Sequence, residues 1–193
     1  SYKIMRIISG SFRGKKLFEP KDNFTRPLKD LTKESIFNIL QHSNKFSIKI
    51  ENANILDLFS GVGSFGIECL SRGVKFVIFI ENYIKVLPAL KKNLDNLKSV
   101  KNYLILKKDI YNKNTLLTLN KKFDIIFLDP PYKDKNLITI FEMIDEGNIL
   151  NETGLIILHR HKNEKDIFPS KFRIIENKTY GISKIIFLSF SNK

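Results

Sequence analysis

The 193 residues leave room for one α/β domain with a small extension, and at 42% hydrophobic the chain can bury a core, yet no apolar run reaches the length of a membrane span. The single cysteine, Cys69, excludes an intramolecular disulfide, and no Cys/His cluster offers a zinc site, so no metal is expected. A formal net charge of +13 favours a polyanionic partner, although general enrichment in Lys, Asn, Ile and Phe contributes to it, so the placement of charge says more than its total.

Residues 1–6 show no signal-peptide core, and a cytoplasmic chain is expected. Residues 1–33 carry nine basic side chains against three acidic ones, close to half the net charge in a sixth of the chain. Residues 4–9 and 15–18 are expected to form two short strands, with Gly10 and Gly14 bracketing their connection as a hairpin. Arg6, Arg13, Lys15 and Lys16 around Phe12, with Arg26 beyond, make a candidate phosphate-gripping edge for RNA; a solvated basic hairpin that guards a sheet edge is the alternative. Removing residues 1–20 is therefore expected to weaken RNA binding and leave cofactor binding nearly unchanged.

A helix is expected over 31–42, capped by Asp30 or Thr32, with Ile36, Phe37, Ile39 and Leu40 on its apolar face. The polar stretch 43–53 divides the chain into an N-terminal basic hairpin and helix, 1–43, and a main domain, 44–193. A strand over 54–59 precedes Ser60-Gly61-Val62-Gly63-Ser64-Phe65-Gly66, and a helix follows to residue 72. Gly61, Gly63 and Gly66 form G-x-G-x-x-G between strand and helix, which permits a tight turn and close backbone approach to a nucleotide. The pattern alone suits NAD as well as S-adenosylmethionine. Asp57, at the strand end, favours the latter, because a carboxylate there can meet an ammonium group and has no use beside a pyrophosphate.

The second strand, 75–80, ends at Glu81, twenty residues past Gly61, from where an acid grips ribose hydroxyls. Leu87, Leu90, Leu94 and Leu97 recur at helical spacing, and Pro88 either starts that helix or kinks it. A third strand over 102–106 is followed by Asp109, an acceptor for an adenine amino group or a helix N-cap. A short helix or loop covers 110–120. Then comes Asp124-Ile125-Ile126-Phe127-Leu128-Asp129-Pro130-Pro131-Tyr132, a buried strand stopped by two prolines that lack N–H donors. In an open α/β sheet the carboxyl ends of strands bind ligands. Asp129 and the Pro130 carbonyl can each accept an N–H from an exocyclic amino group, while Tyr132 stacks on the base. A helix over 137–144, a strand over 154–158 and two strands over 172–176 and 185–190 complete the chain. His159-Arg160-His161 leaves the fifth strand beside the motif, where it contacts substrate or is simply a solvated loop.

Asp-Pro-Pro-Tyr resembles the catalytic motif of methyltransferases that modify amino groups of adenine, cytosine or guanine. Together with Arg6-Ile7-Ile8-Ser9-Gly10, Arg13-Gly14, Thr25-Arg26-Pro27, Glu34-Ser35-Ile36-Phe37-Asn38 and the stretch from Asp57 to Gly66, the chain resembles the small-subunit (16S) ribosomal RNA guanine-N2 methyltransferase family over nearly its whole length. The resemblance implies an α/β, Rossmann-like class I methyltransferase fold of seven mostly parallel strands with the last antiparallel and helices on both faces. It also implies S-adenosyl-L-methionine as cofactor, with Asp57, Phe59, Gly61, Gly63, Gly66, Glu81, Asp109 and Asp129 around it, and a guanine of 16S rRNA (position 966 in the family's enzyme name) as substrate. The small ribosomal subunit or its assembly intermediate is the implied partner, with no membrane or metal, and the chain is expected to act as a monomer. Three departures stand out: Leu28 and Leu31 replace the usual Thr and Arg after Thr-Arg-Pro, and His159 stands where Glu is common. An adenine-N6 methyltransferase with the same turn, a non-catalytic RNA-binding assembly factor and an NAD enzyme are the competing readings; 193 residues are expected to leave no room for a separate DNA-recognition domain, which argues against the first.

Overall fold

The computed structural model describes residues 5–19, 28–132, 134 and 136–192. Lys21 and the Thr25-Arg26-Pro27 stretch, Arg26 included, lie outside them. Seven strands, β1 (Asn54–Leu58), β2 (Phe76–Ile80), β3 (Tyr103–Leu106), β4 (Phe123–Leu128), β5 (Leu150–His161), β6 (Phe172–Tyr180) and β7 (Ser183–Phe190), form one sheet in the order β3-β2-β1-β4-β5-β7-β6. Strands β1 to β5 pair in parallel, and β7 runs antiparallel to both its neighbours. This is the arrangement the family resemblance implies.

The central strands read as continuous apolar runs because both faces of the sheet are covered. One face carries Ile55, Val77, Phe79, Ile125, Phe127, Leu155 and Ile157 under α1 (Asp30–His42), α2 (Ser64–Ser71) and α3 (Leu87–Asp95). The other carries Leu56, Ile78, Ile126 and Ile156 under α4 (Lys113–Leu117) and α5 (Leu137–Glu146). Leu137, Ile140, Phe141 and Ile144 give α5 the stripe at helical spacing that such a face requires. Pro88 lies in the first turn of α3, where its missing N–H costs nothing, so the helix starts there and is not kinked.

Every residue of α2 is buried, because the helix is sandwiched between the sheet and the N-terminal segment. Met5, Ile7, Leu17, Leu28, Ile36, Phe37 and Leu40 share the apolar cluster of β1 and α2. An aromatic ladder spans the layers: Phe37 stacks on Phe65 at 5.4 Å, and Phe65 on Phe127 at 4.0 Å. The expected N-terminal hairpin is reduced to one antiparallel bridge, Arg6 with Lys16, flanked by Ile7 N–H to Lys15 O and Leu17 N–H to Met5 O, each 2.9 Å. Gly10 packs so tightly on the end of α2 that a Cβ there would lie 1.9 Å from Ser71 O.

Three sequence expectations change. Helix α1 is preceded by Lys29, whose side chain makes no cap, so neither Asp30 nor Thr32 caps it. The fifth strand runs to His161, because β7 offers Ser183, Lys184 and Ile185 as partners, so His159-Arg160-His161 is strand and not solvated loop. Asn112, not Asp109, caps α4, its side chain accepting Asn114 N–H at 3.1 Å.

Candidate active site

Parallel pairing assembles the site. Leu58, Ile80, Leu128 and Leu158 are joined in register across β2, β1, β4 and β5. The next residues, Phe59, Glu81, Asp129 and His159, therefore share the carboxyl edge of the sheet, where the strand order reverses between β1 and β4. Side chains alternate along strands, so Asp57, Glu81, Asp129 and His159 lie on the face that carries Ile55, Phe79, Phe127 and Ile157.

The loop after β1 adopts backbone that few residues tolerate. Phe59 and Gly61 both have φ 56°, and Gly63 has φ 86°. For a bulky residue such as Phe59, positive φ is rare and carries strain. A Cβ on Gly63 would lie 2.5 Å from Leu90 Cδ1, and one on Gly66 would lie 2.3 Å from Phe79 Cε1. Gly63 thus lets the loop pack closely on Leu90 and Ile67 at the start of α2, and Gly66 lets the helix press against β2.

The carboxylates hold this loop. Glu81 Oε1 accepts Gly61 N–H at 2.9 Å, and Oε2 accepts Asn82 and Tyr83 N–H at 3.0 and 3.2 Å. A carboxylate has about four acceptor positions, so Oε1 keeps one for a ligand hydroxyl. Asp57 is 1% exposed and accepts Gly66 N–H at 3.1 Å through Oδ2. Burial pushes its carboxyl well above the usual aspartate range; the Gly66 bond opposes this, and the negative charges of Asp129 and Glu81 add to it. Asp57 is therefore a group in want of a cation.

At the end of β4, Asp129 Oδ1 meets His159 Nδ1 at 2.9 Å. Pro130 is buried, while Pro131 and Tyr132 are exposed. The carbonyl of Pro131 accepts Asp134 N–H at 2.9 Å, and no described donor reaches that of Pro130. The Tyr132 ring meets His161 edge-on at 5.3 Å. The turn is braced from behind by Arg160, only 4% exposed, which forms a two-pronged pair with Asp166 at 2.9 Å for each bond and also donates to Asp134 O at 3.1 Å. Asp134 accepts the Tyr111 hydroxyl, and the Tyr111 ring leans on Phe59 at 6.2 Å, which joins the turn to the glycine loop.

Asp109 is exposed and three residues past β3; its carboxylate accepts Tyr111 N–H at 3.0 Å. It lines an open hollow of about 380 Å³ with Lys108, Asn112, Asn114, Thr115 and Thr118. Arg6, Arg13, Lys15 and Lys16 are all exposed; Lys15 Nζ donates to Asn96 O at 2.8 Å and sits 5.3 Å from the Phe12 ring centroid.

The sequence places His159 beside the motif but not its partner, and it gives no sign of Asn93. His159 lacks a motif, but extending the parallel register of β4 and β5 by one position would have set it beside Asp129. Asn93 reads as the polar member of an amphipathic helix. It is 1% exposed, accepts Phe18 N–H at 2.7 Å, and donates to Phe18 O at 3.2 Å and to Val62 O at 2.9 Å. It thereby ties the N-terminal segment to the glycine loop, and no local pattern signals that.

A family model, Conserved hypothetical protein 95, matches residues 5–189. YlbH of Bacillus subtilis is 34% identical over 186 residues, covering 94% of this chain and 96% of that protein. Ribosomal RNA small subunit methyltransferase D of Haemophilus influenzae is 34% identical over 183 residues, covering 92% and 90%. Among solved structures, Escherichia coli yhhF superimposes with a TM-score of 0.81 at 27% identity, covering 99% of this chain and all of that one.

Proposed function

We propose, from the premise that this chain belongs to the Conserved hypothetical protein 95 family, that it is a class I methyltransferase which transfers a methyl group from S-adenosylmethionine to the exocyclic N2 of a guanine in small-subunit ribosomal RNA. Its relatives named small subunit rRNA methyltransferase support the rRNA substrate. The observation that carries the reading is the shared edge on which Asp57, the Gly61 to Gly63 loop, Glu81 and Asp129 meet.

The residues present suit the cofactor. Buried Asp57 suits an ammonium group, the remaining lone pair of Glu81 suits a ribose hydroxyl, and the positive-φ turn at Gly61 and Gly63 suits the close backbone approach of a nucleoside. Asp109 stays a candidate for the adenine amino group. When bound, S-adenosylmethionine supplies a methyl carbon on a sulfonium, and the carbon–sulfur electron pair stays on sulfur as the methyl leaves.

The chain supplies position and charge. The guanine amino nitrogen is a weak nucleophile because its lone pair is delocalised into the ring. Asp129 Oδ2 and the Pro130 carbonyl accept its two hydrogens and hold the lone pair clear for attack, which is orientation plus electrostatic stabilisation. As the nitrogen forms its bond to carbon it becomes positive, and Asp129 offsets that charge. The nitrogen then sheds one proton, which Asp129 Oδ2 receives and passes to water, so a strong base is unnecessary. The base must leave its stack to reach the turn, and exposed Tyr132 replaces the lost stacking surface. Arg6, Arg13, Lys15, Lys16 and Arg26 contact phosphates.

Incubating undermethylated small subunits with labelled cofactor and mapping the modified base tests this reading. Label on guanine N2 is the expected result. Label on an adenine would favour the adenine-N6 alternative, and no transfer with tight NAD binding would overturn the reading.

A further inference from the structure

His159 is tied to the turn that bears the proposed chemistry, yet no part of the proposed reaction uses it. Its side chain is 18% exposed and, among the described residues, makes one hydrogen bond, from Nδ1 to Asp129 Oδ1 at 2.9 Å. Its other nitrogen, Nε2, is one of two buried side-chain atoms without a partner among the described residues. An ionised carboxylate only accepts, so Nδ1 carries the proton and donates it. The tautomer is thereby fixed: no described group competes for Nε2, and the ring is committed to Asp129.

We propose that His159 is the positioning residue of the methyl-transfer site: its Nδ1–H occupies Oδ1 of Asp129, turns Oδ2 toward the methyl acceptor, and sets the charge of the pair. The proposal rests on the methyltransferase reading given above. With the ring neutral the pair carries −1, which favours the positive charge that grows on the amino nitrogen. With the ring protonated the hydrogen bond survives but the pair is neutral overall, and that stabilisation is lost. The geometry is rigid on both sides, since Leu128 and Leu158 are paired in register one residue earlier and Ile185 of β7 pairs with His159 itself.

The surroundings decide when the ring titrates. From β4 the titratable group facing it is Asp129; β7 presents apolar Ile185; on β5 itself His161 turns to Tyr132; Asp57 and Glu81 lie farther along the row. Burial alone would lower the pKa of the ring, but the charge and hydrogen bond of Asp129 outweigh it and raise the value above that of an ordinary histidine. At saturating cofactor, the rate of transfer should therefore climb with pH through a midpoint above about 6.5, the opposite of a site that needs an imidazolium.

Single-turnover methyl transfer to undermethylated small subunits, measured from pH 5.5 to 9 with the wild type, His159→Gln and His159→Ala, tests this. His159→Gln keeps an N–H donor without a titrating ring. It should retain the rate to within about tenfold and lose the pH step. His159→Ala should slow transfer on the order of 10²-fold, the typical cost of a misplaced group, with the step also gone. Cofactor binding by calorimetry should be unchanged in both, which separates positioning from loss of structure. A wild type that transfers no methyl would refute the methyltransferase reading itself. A wild type that transfers, with variants that keep its rate and its pH step, would overturn the role of His159 alone.

Discussion

Lys33 and Glu68 face each other at 3.5 Å with neither side chain exposed. Lys33 Nζ also donates to Arg6 O at 2.8 Å and to Ser64 Oγ at 3.2 Å, while Glu68 accepts Ile8 N–H at 2.7 Å, Ser9 N–H at 3.1 Å and Arg72 Nε at 2.9 Å. Burial lowers the pKa of Lys33, and Glu68 and then Asp30 work against that. The pair pins the N-terminal segment to α2. Glu68→Ala strands a buried ammonium and two backbone donors, so it should cost on the order of 3–5 kcal/mol. Denaturant unfolding measures this, and a loss below about 1 kcal/mol would place the pair among weak surface contacts.

Asn93 makes a related prediction. Its side chain holds Phe18 and Val62 together, so the N-terminal segment and the glycine loop are one unit. Removal of residues 1–20 is therefore expected to weaken cofactor binding as well, where the sequence alone suggests little change. Asn93→Ala leaves buried partners unsatisfied, a cost of about 1–3 kcal/mol, and should weaken cofactor binding measured by calorimetry. Unchanged affinity would show that the loop holds its shape unaided.

Arg13 and Lys16 are exposed basic residues beside the Arg6–Lys16 bridge. Each released phosphate counterion steepens the salt dependence of RNA binding. Replacing either by Ala should lower the slope of log affinity against log salt by about 1 and leave cofactor affinity intact. An unaltered slope would return this edge to the role of a solvated surface.

The proposed role of Asp57 would link cofactor binding to pH. Its folded pKa is raised, so the folded chain holds a proton that the unfolded chain has lost, and stability falls as pH rises from about 3.9 to the folded value. An ammonium group placed against Asp57 favours the ionised form. Cofactor affinity should therefore rise with pH across that same window, with proton release seen in buffers of different ionisation enthalpy. Asp57→Asn should stabilise the free protein at neutral pH, weaken cofactor binding and abolish the proton release. Tighter binding by that variant would contradict the assignment.

Much of the layout of the candidate site is legible because its signals are local. Glycines at 61, 63 and 66 between a strand and a helix, an acid after each of two strands, and prolines that end a third announce themselves at fixed spacing. Strand β4 was readable as a buried apolar run for the same reason. What the sequence hid is pairwise. His159 matters because β5 continues beyond Leu158 along β7, and Asn93 because α3 backs onto both the N-terminal segment and Val62. Lys33 is one of the nine basic residues that give the first 33 positions their charge, yet it is buried against an equally buried Glu68, which no local pattern signals. The cap of α1 was misjudged because Asp30 accepts Arg6 N–H at 3.2 Å instead.

The proposed chemistry turns on Asp129, and single-turnover methyl transfer to undermethylated small subunits tests it most directly. Asp129→Asn keeps an acceptor but removes the charge, and Asp129→Ala removes both. The rate should fall in that order, with Ala losing on the order of 10²–10³-fold while cofactor affinity stays within a few-fold. Tyr132→Phe should be mild and Tyr132→Ala severe, since stacking needs the ring. Full activity in Asp129→Ala would contradict the account, because the methyl acceptor would then be held by something other than this turn.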